Sequence, residues 1–183
     1  MSEKRSRLTK ITTRTGDAGD TKLATGRSVH KASSVVVAMG TIDELNSHIG
    51  VLNSHLQTAH LDQTRQIQQQ LFDMGAVFAM EGQFDPPDPA GLESMTDAHN
   101  ATLPPLTEFV LPGGGEAASL AHVCRAVCRR AESSVWGYLA ELDQPPEALT
   151  TCAQYLNRLS DYFFVLARVL TQTEEEQWHG PNG

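Results

Sequence analysis

The sequence predicts an all-α domain, a helical bundle with up-down connections. Three observations predict it. Long stretches of the 183-residue chain repeat apolar residues at the spacing of a helix face, loops rich in proline and glycine separate these stretches, and no run of residues reads as a convincing sheet strand. The pattern indicates four substantial helices and one shorter helix. We expect a single domain over residues 1–183, with disordered tails at 1–10 and 174–183.

The longest uninterrupted helical pattern runs from residue 118 to residue 142. Its apolar residues fall in one broad sector: Leu120, Val123, Cys124, Val127, Ala131, Val135, Tyr138 and Leu142. Arg125, Arg129 and Glu132 lie beside that sector within roughly 60° of one another. Helix geometry leaves two interpretations open. The stripe is either a solvated flank with an Arg129–Glu132 pair or an anion-binding edge, because guanidinium groups match phosphate oxygens.

A helix over residues 34–58 precedes it, with Ser33 or Ser34 as its cap. One face of this helix is an apolar stripe. A second line holds small and polar residues, among which Asp43 is the one charged residue. That line is either a solvent face of short side chains or a packed interface in which Asp43 needs a cationic partner.

The remaining helices are expected at residues 63–80, at residues 92–103 and from Pro146 onward. Asp62 is the candidate cap of the first of these, and Pro146 suits the first helical position of the last one. The last helix carries Asn157 on a polar line separate from its apolar face.

The segment from residue 11 to residue 31 is rich in glycine, threonine and aspartate and has no helical period. Its glycines permit tight turns, and its hydroxyl and basic side chains can bind an anion. It is either an ordinary surface loop or a phosphate-binding loop made of backbone N–H groups, hydroxyls and lysine or arginine. It is not a Walker A loop, because the GxxxxGK[ST] pattern does not occur.

Charge and composition exclude several classes of function. The net charge of −8 argues against sequence-independent nucleic-acid binding. No apolar run reaches the roughly 18 residues of a membrane span, so we expect no membrane partner. The three cysteines indicate reduced, buried thiols and a cytoplasmic location.

Two further classes of site are excluded by motif. Glu44 and His48 are four residues apart, so the Glu-x-x-His motif of di-iron bundles is missing and we expect no metal site made by the protein itself. No G-x-S-x-G follows a strand, which argues against a serine hydrolase.

Three blocks make the sequence resemble the PduO-type ATP:cob(I)alamin adenosyltransferases. The first is TRTGDAGDT at residues 13–21 with Lys31 downstream, and the second is GTIDELNSHIG at residues 40–50. The third is FVLPGGGE at 109–116, which leads to CRAVCRRAE and then to YLNRLSDYFFVLAR. The blocks span nearly the whole chain.

The resemblance implies a five-helix ferritin-like bundle that assembles as a homotrimer with active sites between subunits. It implies that Co(I) of cob(I)alamin attacks the 5′ carbon of ATP, giving adenosylcobalamin and triphosphate. The corrinoid is itself the nucleophile, so the protein contributes positioning and electrostatics. Mg²⁺ would be held on the ATP phosphates, and a corrinoid reductase and a cobalamin-dependent acceptor enzyme are the implied partners.

The resemblance also implies roles for individual residues. The implied triphosphate ligands are Thr13, Arg14, Thr15, Gly16, Thr21, Lys22 and Lys31. The implied nucleotide contacts from the neighbouring subunit are Arg129, Arg130, Glu132 and Asn157. Arg125 and Asp43 match a pair that bridges subunits, and Phe109 matches the aromatic that closes the lower face of the corrinoid. Phe109 would displace the dimethylbenzimidazole and leave the cobalt four-coordinate. The residues implied as catalytic are Arg125, Arg129, Asp43 and Phe109.

The sequence departs from the family pattern at a few places. Val35 and Met39 stand where an arginine and a tyrosine are common, Ser133 replaces a common basic residue, and residues 80–104 match least. The competing class is a non-catalytic trimeric carrier or sensor that binds ATP or a corrinoid.

Overall fold

The computed structural model describes residue 12 and residues 14–181. Over this part of the chain the protein is a bundle of five α-helices, which confirms the predicted all-α, ferritin-like class. The helices are α1 (Ser34–Asn53), α2 (Thr58–Ala79), α3 (Pro89–Asn100), α4 (Glu116–Leu139) and α5 (Glu147–Leu170). A short antiparallel hairpin precedes them, formed by β1 (Asp20–Lys22) and β2 (Ser28–His30).

The core lies where α4 packs between α1 and α5. α3 packs on α5, and α2 packs mainly on α1. Tyr155, Leu159 and Phe163 of α5 are fully buried in this core, as are Cys128 and Ala131 of α4. Because the apolar faces recur at helical spacing, their burial follows directly from the sequence pattern.

The sequence pattern places Val123 in the buried apolar sector of α4, and this prediction is wrong. The Val123 side chain is 40% exposed, since it lies at the edge of the face that α4 turns toward its neighbours. Leu120 and Leu142 are only partly buried against the core.

Several helix ends differ from the sequence prediction. α1 ends at Asn53 rather than at residue 58, and α4 runs from Glu116 to Leu139 rather than over residues 118–142. Pro146 lies at the N-cap and Glu147 begins α5. Apolar periodicity reports the buried middle of a helix, so its ends depend on local hydrogen bonds that periodicity does not encode.

The starts of α2 and α3 also differ from the sequence prediction. α2 begins at Thr58 after Gln57, so Asp62 lies inside the helix instead of capping it. α3 begins at Pro89 rather than residue 92, because the Asp88 carboxylate accepts a hydrogen bond of 3.0 Å from the Ala90 N–H. Proline at the first helical position fits this start.

The described part of the C-terminal tail pairs with the segment that precedes α4. The Leu111 N–H donates to the Glu176 carbonyl and the Trp178 N–H donates to the Phe109 carbonyl, each at 2.8 Å. These bonds lay residues 176–178 along the segment that leads into α4. Residues 1–10 lie outside the described part of the chain.

None of the described helices combines the length and apolar character that crossing a membrane requires.

Leu159→Ala is expected to lower the free energy of unfolding by about 2–5 kcal/mol, because it leaves a cavity beneath α4. Val123→Ala is the control and should change that energy by less than about 0.5 kcal/mol, since the side chain is partly exposed. Urea unfolding followed by circular dichroism measures both. Equal losses in the two variants would contradict the burial described here.

Candidate functional site

The loop before α1 folds compactly around an open cleft. Thr15, Gly16, Thr21 and Lys22 line one open cleft of about 380 Å³, together with Asp20 and Ser28. The Lys31 ammonium donates a hydrogen bond of 2.6 Å to the Gly16 carbonyl, and the Lys31 N–H donates to the Gly19 carbonyl at 2.8 Å. The structure therefore brings together five of the residues expected to bind phosphate.

Arg14 has a left-handed backbone conformation, with φ of 61°. A non-glycine residue pays a conformational penalty there, and such penalties are common at ligand-binding sites. Its side chain is exposed beside the cleft-forming segment. Thr13, the remaining predicted phosphate ligand, lies outside the described residues.

The hairpin that carries Thr21 and Lys22 is fixed to the end of α2. The Ala24 N–H donates to the Ala79 carbonyl at 3.0 Å, and the Arg27 guanidinium forms an ion pair of 2.8 Å with Glu81. The Thr25 hydroxyl also donates to Glu81, at 2.7 Å. These contacts attach the hairpin, and with it the cleft, to the end of α2. The sequence did not predict the hairpin because its strands have only three residues each.

A second and larger groove adjoins the hairpin. It encloses about 560 Å³ between the hairpin, α1 and α2, and Thr21, Lys22 and Asp43 lie on its wall. Its apolar lining includes Met39 and Phe72, and the Phe72 side chain is 66% exposed. Sequence reasoning missed this groove, because α2 appeared to have a single apolar face directed to the core.

The charged residues on the exposed side of α4 have different partners. Glu132 accepts a hydrogen bond of 3.3 Å from the Asn157 amide of α5, so it does not pair with Arg129. Arg129 is exposed and forms no ion pair within the described residues. Arg130 instead forms an ion pair with Glu44 of α1. The Arg129–Glu132 pair that the solvated-flank interpretation included is not formed within the described residues.

Arg125 is partly buried, and its Nε atom is enclosed without a hydrogen-bond partner among the described residues. Asp43 is exposed on α1, and no ion pair joins it to Arg125 or to another described cation. A buried guanidinium N–H without a partner is costly. Both groups can therefore accept a partner of opposite charge from outside this copy of the chain.

Phe109 lies between α3 and α4 and is 74% exposed, the largest exposure among the large apolar residues described. Its carbonyl is held by the Trp178 N–H, and its own N–H donates to the Glu108 carboxylate at 2.8 Å. The ring thus stands on a fixed backbone and remains open to a ligand.

His122, Cys124 and Cys128 lie on the buried side of α4, beneath the arginine stripe. Burial raises the pKa of the Cys124 thiol to about 12 and that of Cys128 well above its usual value. The Cys128 thiol donates to the Leu156 carbonyl at 3.1 Å. These thiols are structural, as the sequence indicated. Among the described residues no cluster of three histidine, cysteine or acidic side chains could hold a metal ion.

Acid is expected to destabilise the bundle through His122. Burial, and then the nearby Arg125, lower the His122 pKa below its usual 6.5, and Glu175 only partly opposes them. The unfolded chain therefore binds this proton more readily, so the contribution is complete above pH 6.5 and is lost as the pH falls below it.

A titration of the His122 imidazole by NMR should give a pKa below 6.5. His122→Gln should reduce the slope of the unfolding free energy against pH below that value. A normal or raised pKa in the folded protein would contradict this expectation.

The family model for cobalamin adenosyltransferase matches residues 11–170. A cobalamin adenosyltransferase of Cupriavidus metallidurans is 47% identical over 174 residues, which cover 91% of this chain and 90% of the relative. A corrinoid adenosyltransferase of Mycobacterium tuberculosis is 42% identical over 188 residues, covering 96% of this chain and 95% of the relative.

Solved structures agree with the fold. A phenylalanine-to-histidine variant of a PduO-type ATP:corrinoid adenosyltransferase from Lactobacillus reuteri, complexed with cobalamin and ATP, superposes with a TM-score of 0.85. The two chains are 31% identical, and the match covers 93% of this chain and 97% of the other. The chain described here belongs to the PduO-type cobalamin adenosyltransferase family.

Proposed function

We propose that this chain transfers the 5′-deoxyadenosyl group of ATP to the cobalt of cob(I)alamin, which gives adenosylcobalamin and triphosphate. Co(I) supplies the electron pair of the new Co–C bond, and the pair of the broken C–O bond leaves on the triphosphate. The observation that carries the proposal is the cleft lined by Thr15, Gly16, Thr21 and Lys22, which suits a polyphosphate.

The chemistry requires no base or nucleophile from the protein. Co(I) attacks the 5′ carbon directly, so the protein has to align the two substrates and stabilise the charge that develops on the triphosphate. Lysine and arginine side chains around the leaving group meet the second requirement. The open ring of Phe109 meets the need for an apolar contact with the corrinoid.

We propose that the nucleotide site is completed by a second copy of the chain in a homotrimer. The first copy would supply Arg14, Lys22 and Lys31, and its neighbour would supply the α4 stripe. Three features support this arrangement. Among the residues that the structure describes, Arg129 and Asp43 have no ion-pair partner, and the enclosed Nε of Arg125 has no hydrogen-bond partner.

Arg129, Arg130, Glu132 and Asn157 form the proposed nucleotide edge of that neighbour. The hydrogen bond between Asn157 and Glu132 keeps these two side chains together across α4 and α5. Arg130 would have to exchange its ion pair with Glu44 for the phosphate, which makes it the weaker candidate. Asp43 and Arg125 would join across the subunit boundary next to this edge.

Mg²⁺ fits this site as an ion bound to the substrate. Hydroxyl and carboxylate oxygens, the donors that Mg²⁺ prefers, occur in the cleft at Thr21 and Asp20. The described residues offer no cluster that would hold the ion without the nucleotide. Bound there, Mg²⁺ would neutralise part of the triphosphate charge as the C–O bond breaks.

Phe109 is the proposed contact with the lower face of the corrinoid. Its ring would take the place of the dimethylbenzimidazole and leave the cobalt four-coordinate. Loss of an axial donor lowers the metal orbital that accepts the electron, so Co(II) becomes easier to reduce. A reductase that supplies this electron and an enzyme that accepts adenosylcobalamin are the proposed partners. The three free cysteines support a cytoplasmic location.

The direct test is to mix the protein anaerobically with reduced cobalamin and Mg-ATP and to record the visible spectrum. The light-sensitive spectrum of an alkylcobalamin, with one triphosphate released per turnover, is the expected result. Binding of both ligands with no new Co–C bond would instead establish the non-catalytic carrier or sensor.

Arg129→Ala is expected to reduce kcat/KM on the order of 100-fold or more, because the site loses a charge-assisted contact to the leaving triphosphate. Arg65→Ala is the matched control, since Arg65 is an exposed arginine on α2. Sedimentation should show the same assembly in both variants. Full activity of the Arg129 variant would show that the α4 stripe is a solvated flank.

Phe109→Ala is expected to impair the reduction of enzyme-bound Co(II) more than ATP binding, because the ring is proposed to act on the corrinoid alone. Reduction is followed by visible spectroscopy with a one-electron donor in solution, and ATP affinity by calorimetry. Equal losses of both properties would indicate a folding defect and contradict the proposed role.

A further inference from the structure

The C-terminal tail runs antiparallel to the segment that carries Phe109. The Phe109 carbonyl accepts from the Trp178 N–H, and two residues further along the Leu111 N–H donates to the Glu176 carbonyl, each at 2.8 Å. Val110 and Gln177 form the bridge between these two bonds. The pairing is two bonds long, so it needs support from elsewhere in the fold.

Arg168 provides that support from the end of α5. Its side chain is only 2% exposed. The guanidinium donates to both oxygens of the Glu175 carboxylate, at 2.7 and 3.1 Å, and to the Pro104 carbonyl at 2.9 Å. One buried cation therefore holds the tail and the start of the Phe109 segment in a fixed relation.

The start of the tail is held as well. The Gln172 N–H donates to the Gly114 carbonyl at 2.9 Å. Gly114 has a φ of 89°, and a Cβ atom there would lie 2.6 Å from the Thr171 hydroxyl oxygen. The close approach of the two segments depends on this glycine.

Trp178 places its ring against Phe109 at the other end of the pairing. The ring centroids are 6.2 Å apart and the planes meet at 65°, an edge-to-face arrangement that aromatic rings favour. Trp178 itself is 43% exposed, so the two rings form one open aromatic surface. An exposed phenylalanine ring without such a neighbour is free to change rotamer.

We propose that Trp178 is a positioning residue for the adenosyl transfer. Its indole ring holds the Phe109 ring in the orientation that covers the lower face of the corrinoid. The tail is thereby a part of the corrinoid site although it begins beyond the end of α5. This role rests on the proposed function of Phe109, and it adds a residue that the three sequence blocks do not contain.

The test compares Trp178→Ala with Trp178→Phe, Phe109→Ala and the control Phe84→Ala, which removes an exposed ring elsewhere on the surface. Electron paramagnetic resonance of enzyme-bound cob(II)alamin with Mg-ATP measures the four-coordinate fraction. Steady-state turnover is measured with cobalamin and with cobinamide, which has no dimethylbenzimidazole to displace. Thermal unfolding reports stability.

Trp178→Ala should reduce the four-coordinate fraction and the kcat with cobalamin on the order of fivefold, the scale of one aromatic pair. Turnover with cobinamide and the KM for ATP should stay within about twofold of the parent, because the tail contacts the Phe109 segment and the phosphate cleft lies in the hairpin loop. Trp178→Phe should restore most of the four-coordinate fraction.

Two outcomes would overturn the role of Trp178 alone. One is a normal four-coordinate fraction in Trp178→Ala while Phe109→Ala loses it. The other is a loss in Trp178→Ala that affects cobinamide and ATP equally and follows a fall in thermal stability. A normal four-coordinate fraction in Phe109→Ala would instead overturn the proposed role of Phe109, and the role of Trp178 with it.

Discussion

The burial of α4 between α1 and α5 is the constraint on which the rest of the structure depends. Its apolar face must point inward to complete the core, and this fixes the direction of every other side chain on the helix. Arg125 and Arg129 therefore stand at an edge whose position the core determines. Asn157, on the neighbouring α5, meets Glu132 for the same reason. A helix edge whose position is set by core packing is rigid without any dedicated scaffold.

The candidate site consists of parts that one copy of the chain does not connect. The phosphate cleft belongs to the hairpin and its loop, which α2 supports through Ala79 and Glu81. The arginine edge belongs to α4 and α5. No hydrogen bond or ion pair within the described residues joins Asp43 to Arg125.

Helical periodicity was sufficient to predict the five helices and most of the core. It could not locate their ends, since the Asp88 cap and the helical position of Asp62 depend on local hydrogen bonds. The hairpin escaped prediction because three-residue strands have no measurable alternation. For the site, composition alone identified Thr21 and Lys22 as possible phosphate ligands, and family resemblance was needed to single out Phe109.

Tertiary contacts account for what the sequence could not predict. The polar composition of residues 171–178 is typical of a disordered tail, and nothing local indicates that Arg168 binds Glu175 or that Trp178 meets Phe109. Partners of this kind are known only once the chain has folded.

The burial of the three thiols has a practical consequence. Cys124, Cys128 and Cys152 are all buried, and burial raises the pKa of each, so at neutral pH they react slowly with alkylating probes. The unlabelled protein is therefore expected to react little with thiol-specific labels. A single cysteine introduced on the exposed tail could carry a fluorophore or a spin label without removal of any of the three native cysteines. The mobility of the tail could then be followed in solution during turnover.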